Sequence, residues 1–401
     1  MVDISTKGKS PFYPGQPVPY EFFTGRKKEI DRIERAISQV ALGKPQAIFL
    51  TGEFGIGKSS LASYMKLIAE KKYNLFGIHV ILGGIQKTDE IGAKVLESVL
   101  KNEAYERNNT EKVRGFLSKY VSELEVFGVK INLDQIKKDS AEISNGILPF
   151  LKTIKDKLND AGVKGILLIL DEINGITKNA QFAHYIKSIV DENALSSEPL
   201  PLLLMLSGVE ERRKEMIEKH QPVDRIFDIV NIDPLSTSEM EEFFKKAFAS
   251  VNTKIEDLAL HSLCRYSEGF PKIMHINGEN TFWADHDRVI SLEDVTDGII
   301  QSMEEIGAKF VDQQVYKALK SKDYQTILQK LSKEDNIDMS FFKSDIEKKL
   351  APNEQKKFNN FLQKMKSLNV IKSGDEKGEY VFLSRLTKLC VGIYPLEAKQ
   401  K

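Results

Sequence analysis

The sequence predicts an α/β fold on a parallel sheet, followed by segments that are mainly helical. Two observations predict it. Through about residue 233, short apolar runs bounded by glycine or proline alternate with stretches of helical periodicity, the pattern of strands joined by crossover helices. After Pro234 the strand-like runs stop and apolar residues recur at helical spacing. Four prolines between Lys9 and Tyr20 exclude a helix interior, so the N-terminus reads as an extended arm. A helix follows from about Arg26 to Gln39, on the spacing of Ile30, Ile33, Ile37 and Val40. Strands are expected at Ala47–Thr51, Phe76–Leu82, Gly165–Leu170, Leu202–Ser207 and, more weakly, Ile229–Ile232; a helix is expected from Lys58 to about Lys71. An insertion at about 86–161 reads as mostly helical. Within it Val126–Leu133 alternates apolar and polar residues from Val129, as a strand or hairpin arm would.

Downstream, helices are expected at Ser236–Ala249, Ile255–Arg265, Pro271–Ala284 and Ser291–Glu305. Ser236-Thr237-Ser238-Glu239 opens the first with a capping-box pattern. The last segment predicts helices at Asp323–Leu331, Ser340–Leu350 and Asn353–Leu368, then short strands at Val370–Lys372 and Tyr380–Leu383. Three helices and a two-stranded wing are the order of a winged-helix domain.

The 401 residues predict two or three domains. With 58 basic and 58 acidic side chains, the net charge is zero, which excludes a uniformly basic nucleic-acid coat and an acidic tail protein. The zero is a cancellation: Ser321–Lys401 carries 16 basic and 11 acidic residues, net +5, so the remainder is −5. The longest apolar runs, Ile166–Leu170 and Leu202–Leu206, are too short for a membrane helix, which needs roughly 18 residues. No secretory signal is visible, and two cysteines, Cys264 and Cys390, make neither a disulfide framework nor a four-cysteine zinc site. A cytoplasmic setting is expected.

Two motifs carry chemistry. Gly52-Glu53-Phe54-Gly55-Ile56-Gly57-Lys58-Ser59, followed by Ser60, fits the Walker A pattern between a strand and a helix. Its glycines let backbone amides curl around phosphate oxygens, and the helix behind presents its positive end to the anion. Lys58 would reach the β- and γ-phosphates of ATP, and the Ser59 hydroxyl would ligate Mg²⁺. The strand Ile166–Leu170 delivers Asp171-Glu172 to the carboxyl edge of the sheet. Asp171 would hold Mg²⁺, and Glu172 would be the base that activates water. No guanine-specific Asn-Lys-x-Asp box is present.

This loop, the adjacent acid pair and the helical segment behind the sheet resemble AAA+ P-loop ATPases. Phe23-Thr24-Gly25-Arg26 looks like the box that precedes the P-loop in the initiator-like branch, which embraces origin-recognition, archaeal and STAND-related ATPases. The resemblance implies a P-loop sheet with helices on both faces, a helical lid domain and a C-terminal winged helix. Its divisions would be an arm at 1–21, a nucleotide-binding domain at 22–233, a lid at 234–307 and a winged helix at 308–401. It further implies Phe23, Gly25 and Arg26 over the adenine, Ser207 as a sensor near the γ-phosphate, Lys272 on the lid as a second sensor, and Arg225 as an arginine finger. Lys272 stands where arginine is commoner and offers a point charge without a fork. Arg212 and Arg213 compete with Arg225. A finger acting on a neighbour implies self-assembly or a partner ATPase.

Two functions stay open. Helix Asn353–Leu368 carries Lys356, Lys357, Lys364 and Lys366 opposite Phe358, Phe361, Leu362 and Met365, which suits salt-sensitive contact with duplex DNA. The wing Ser373–Glu379 holds Asp375, Glu376 and Glu379 against Lys377, which suits docking on protein, as in a STAND-like ATPase controlling an effector.

Overall fold

Strand β1 (Gln46–Gly52) is buried from Ile48 to Thr51 and organises a five-stranded, wholly parallel sheet. With β2 (Leu75–Ile81), β3 (Gly165–Asp171), β4 (Leu202–Gly208) and β5 (Asp228–Ile232), the order is β2-β3-β4-β1-β5. β3 and β4 are buried at every position, which explains why each reads as a continuous apolar run without alternation. The computed structural model describes residues 7–15, 23–100, 146–309, 324, 327, 340–368, 370–382 and 388. The expected strand or hairpin arm at Val126–Leu133, most of the helix at Asp323–Leu331, and Cys390 lie outside the described residues.

Strand alternation sorts the core into two layers. Phe76, Ile78, Val80, Leu168, Leu170, Leu204 and Leu206 face a cluster that includes side chains of α3 (Asp89–Leu100), α4 (Ile147–Lys157) and α5 (Ala180–Leu195). The intervening residues, including Leu50, Leu167, Ile169 and Met205, are buried on the opposite face. There α1 (Lys27–Ala41) contributes Ile33, Ile37 and Val40, and α2 (Lys58–Tyr73) contributes Leu61 and Met65. Each such side chain contributes roughly 1.5–3 kcal/mol on burial. α6 (Glu210–Lys219) follows β4.

The chain divides into two units, Pro17–Leu235 and the combination of Met1–Gln16 with Ser236–Lys401. The second contains α7 (Thr237–Ala249), α8 (Asp257–Ser267), α9 (Pro271–Ala284) and α10 (Leu292–Lys309). The Ser236 hydroxyl accepts from the Glu239 amide and the Glu239 carboxylate accepts from the Ser236 amide, so the capping box forms. The N-terminal arm belongs to this unit. Phe12 is 5% exposed, with its ring among Phe243, Phe244, Phe248 and His275, in a space open because residue 278 is glycine.

Two expectations need correction. Strands do not stop at Pro234: β6 (Lys254–Ile255) pairs in parallel with β7 (Val289–Ile290). Two-residue strands are too short to leave a periodic signature. Ser340–Leu350 is not one helix: Ser340–Phe342 is a strand, β8, and the helix α11 spans Lys343–Glu347. Pairing outside the segment decides this, because β8 lies antiparallel to β10 (Glu379–Phe382), with Phe341 stacked near Tyr380. α12 (Pro352–Ser367) and β9 (Ile371–Ser373) complete this region, whose sheet order is β8-β10-β9.

Candidate nucleotide site

The P-loop connects β1 to α2. Gly57, at the N-cap of α2, has φ +96°, a conformation that side-chain-bearing residues rarely adopt. Phe54 is exposed, whereas Ile56 is buried and pins the loop to the sheet. The Lys58 ammonium donates to the carbonyls of Gly52 (3.0 Å) and Glu53 (2.9 Å). Burial lowers its pKa, and the carboxylates of Asp171, Glu172, Glu53 and Glu211 oppose that shift. Ser60 follows within the first turn of α2.

Asp171 ends β3 and is 2% exposed. Burial pushes its carboxyl up, but the polar hydrogens of His79, Ser207 and Ser59 outweigh this and hold it below the ordinary carboxylate value. Ser207, near the end of β4, is fully buried beside Asp171 without a well-directed hydrogen bond among the described residues. Glu172 has φ +54°, and its amide donates to Asp171 Oδ1 at 2.9 Å. A non-glycine residue in that left-handed region is uncommon, and such residues concentrate at functional sites. Its carboxylate occupies space that a Cβ at Gly83 would enter, 2.6 Å from Oε2.

Arg26 is 6% exposed and ties the loop down: its guanidinium donates to the carbonyl of Ile56 at 3.0 Å and to that of Asp233 after β5. Arg26 itself has φ +67°, next to Gly25 at φ +75°. Phe23 stacks on Tyr64 of α2, with ring centroids 4.6 Å apart and planes 5° from parallel. The structure thus gathers Arg26, the P-loop, Lys58, Ser59, Asp171, Glu172 and Ser207 around one edge of the sheet.

The three candidate finger arginines differ. Arg212 pairs with Glu215, and Arg213 pairs with Glu210 and Asp224. Arg225 is exposed on a short 3₁₀ turn, and among the described residues it forms no ion pair. Lys272 lies in the other unit, second residue of α9, where burial lowers its pKa.

Sequence reasoning missed three participants. Tyr64 completes the aromatic pair; Glu210 accepts from Thr51, next to the P-loop, at 3.3 Å; His79 contacts Asp171. Only His79 left a signal, as the single polar ring in an apolar strand.

Residues 23–213 match the family model described as "AAA ATPase domain". No curated protein matches the sequence. Two solved structures are similar in fold. The Walker-type ATPase PABY2304 of Pyrococcus abyssi has a TM-score of 0.52 at 17% identity, over 92% of this chain and 96% of its own. The Aeropyrum pernix ORC2 protein, in its ADPNP–ADP complexes, has a TM-score of 0.52 at 14% identity, over 100% of this chain and 99% of its own. Over residues 23–213 the sequence is therefore similar to AAA ATPase domains, on a parallel α/β sheet shared with these P-loop proteins.

Proposed function

We propose that this chain is an ATP-binding and ATP-hydrolysing AAA+ switch of the initiator-like type, acting on duplex DNA. The observation that carries the reading is the meeting of Lys58, Ser59, Asp171, Glu172 and Ser207 at one sheet edge beside a glycine-rich loop. In this reading the amides from Glu53 to Ser60 hold phosphate oxygens. Lys58 exchanges the Gly52 and Glu53 carbonyls for the β- and γ-phosphates. Phe23, Gly25 and Arg26 border the adenine, with Arg26 holding the loop in shape.

Ser59 and Asp171 would hold Mg²⁺. They fit it: both offer hard oxygen ligands, already in contact, and Asp171 is kept ionised. Bound there, Mg²⁺ supplies positive charge against the β- and γ-phosphates. Glu172 orients the attacking water and takes its proton, and Ser207 steadies that water's position. Lys272 is the candidate second sensor of this reading, and Arg225 would add charge at the γ-phosphate from a neighbouring subunit or partner ATPase. Its lack of an ion pair among the described residues favours it over Arg212 and Arg213.

The DNA reading rests on a winged-helix assignment for the C-terminal region. Its support is α12, where Phe358, Phe361, Leu362 and Met365 are buried while Lys356, Lys357 and Lys364 are exposed. Duplex binding should be measured at low salt with and without ATP. Salt-sensitive binding, weakened when Lys356, Lys357 and Lys364 become alanine, is the expected result. Absence of DNA affinity in both states contradicts it. That outcome would favour a STAND-like switch on a protein effector, the reading supported by Asp375, Glu376 and Glu379 around the β9–β10 turn.

A further inference from the structure

The strongest unassigned feature is a chain of polar side chains on a largely apolar sheet face. His79 lies on β2, in register with Ile169 of β3, and Asp171 comes two residues further along β3 on the same face. Leu167 and Ile169, which share that face, are buried hydrophobics, so an apolar residue would be the ordinary occupant at position 79. Instead the imidazole reaches Asp171 Oδ2 from Nε2 at 3.2 Å and Ser63 Oγ from Nδ1 at 3.3 Å. Ser63 lies four residues after Ser59 on α2, hence on the same helix face. Ser59 in turn contacts Asp171. Two strands and one helix thereby bring four polar side chains together, with hydrogen bonds running from Ser63 through His79 to Asp171 and Ser59 beside the carboxylate.

We infer that His79 is a positioning residue that fixes the Asp171 carboxylate toward Ser59 for metal coordination. The inference rests on the nucleotide-switch reading above and deepens it. The ionised Asp171 can only accept, so His79 Nε2 carries the hydrogen. Nδ1 faces the Ser63 hydroxyl, which sets the ring plane. Asp171 Oδ1 is held separately by the Glu172 amide, so both carboxylate oxygens have a fixed partner. The His79 carbonyl is held too, by the Ser98 hydroxyl at 2.9 Å. His79 is not sealed in core: it is 16% exposed and lines a cavity of about 570 Å³ with Ser63, Lys66, Glu70, Lys94 and Ser98. A packing role alone would be met by an apolar side chain; the imidazole adds direction to the carboxylate.

The test titrates Mg²⁺ against a fluorescent ATP analogue bound to wild type, His79→Ala and His79→Gln, with a parallel series in chelator. Glutamine places an amide N–H near the Nε2 position and keeps the donor. Wild type should bind more tightly with Mg²⁺. His79→Ala should need about tenfold more Mg²⁺ for the same tightening, as orienting partners of metal ligands typically do when removed. His79→Gln should recover most of that loss, while binding in chelator stays equal across the three. If His79→Ala does not fold, His79→Asn replaces it, keeping a polar group too short to reach Asp171. Wild-type Mg²⁺ dependence in the alanine or asparagine variant would overturn the proposal, as would a glutamine variant impaired as severely as alanine. Wild type indifferent to Mg²⁺ would instead overturn the nucleotide-switch reading, and this inference with it.

Discussion

Lys58 and Glu172 divide the work of the proposed site, and their environments differ accordingly. Lys58 is held among four carboxylates and two loop carbonyls, a setting that favours exchange onto phosphate. Lys58→Ala should abolish ATP binding, read by equilibrium dialysis; retained affinity would remove Lys58 from the phosphate site. The P-loop and acid pair were legible because each motif is a local run of residues. Arg26 as a clamp, Tyr64 under Phe23 and His79 on Asp171 were not, because each joins positions between about 30 and 210 residues apart. His275 makes a second prediction at this scale. Burial depresses its pKa from the ordinary value of 6.5 to about 4, and its Nδ1 accepts from the Tyr13 amide at 3.1 Å. The unfolded chain therefore binds a proton first. The stability this neutral ring contributes is present above about pH 6.5 and lost as pH falls toward 4. Wild-type melting temperature should fall across that window, and His275→Gln should flatten the fall; an unchanged slope would contradict the assignment.

At the scale of elements, the N-terminal arm is the least expected part of the fold. Its prolines predict an extended segment, and nothing in its own sequence names a docking place. The aromatic cluster supplies one: Phe12 meets Phe243 at 6.0 Å and Phe248 at 5.1 Å between ring centroids. Lys7 bridges to Asp285, and Ser10 donates to Glu279. Phe12→Ala should destabilise its unit by roughly 3–5 kcal/mol, the usual cost of a buried phenylalanine, measured by chemical denaturation. A loss below about 1 kcal/mol would mean the arm is only laid on the surface. Helices α7 and α9 were legible nearly to the residue, because a capping box opens one and Pro271 starts the other. The strand at Ser340–Phe342 was not, since its partner is almost 40 residues away.

For the whole molecule, the division into two units gives the chain an unusual path. The helical unit takes residues from both sides of the nucleotide-binding unit, so two connections join them, near residues 16 and 235. Trp283, the lone tryptophan, sits on α9 at 36% exposure, its indole donating to Glu279 at 2.7 Å. Its fluorescence should change when ATP binds if the helical unit responds to nucleotide; an unchanged spectrum at saturation would contradict that coupling. Among the described residues no helix is long and apolar enough to cross a membrane. The α/β sheet was legible from its apolar runs, whereas the docking of the arm into the helical unit depends on contacts that no periodicity encodes.

Steady-state ATP hydrolysis by wild type beside Glu172→Gln, with nucleotide binding measured on the same samples, decides whether Glu172 is the base. Both proteins should bind ATP, and wild type should turn it over at least about a hundredfold faster than the variant, the scale of a lost general base. Equal turnover by the two proteins would contradict the assignment of Glu172 and the hydrolytic mechanism built on it.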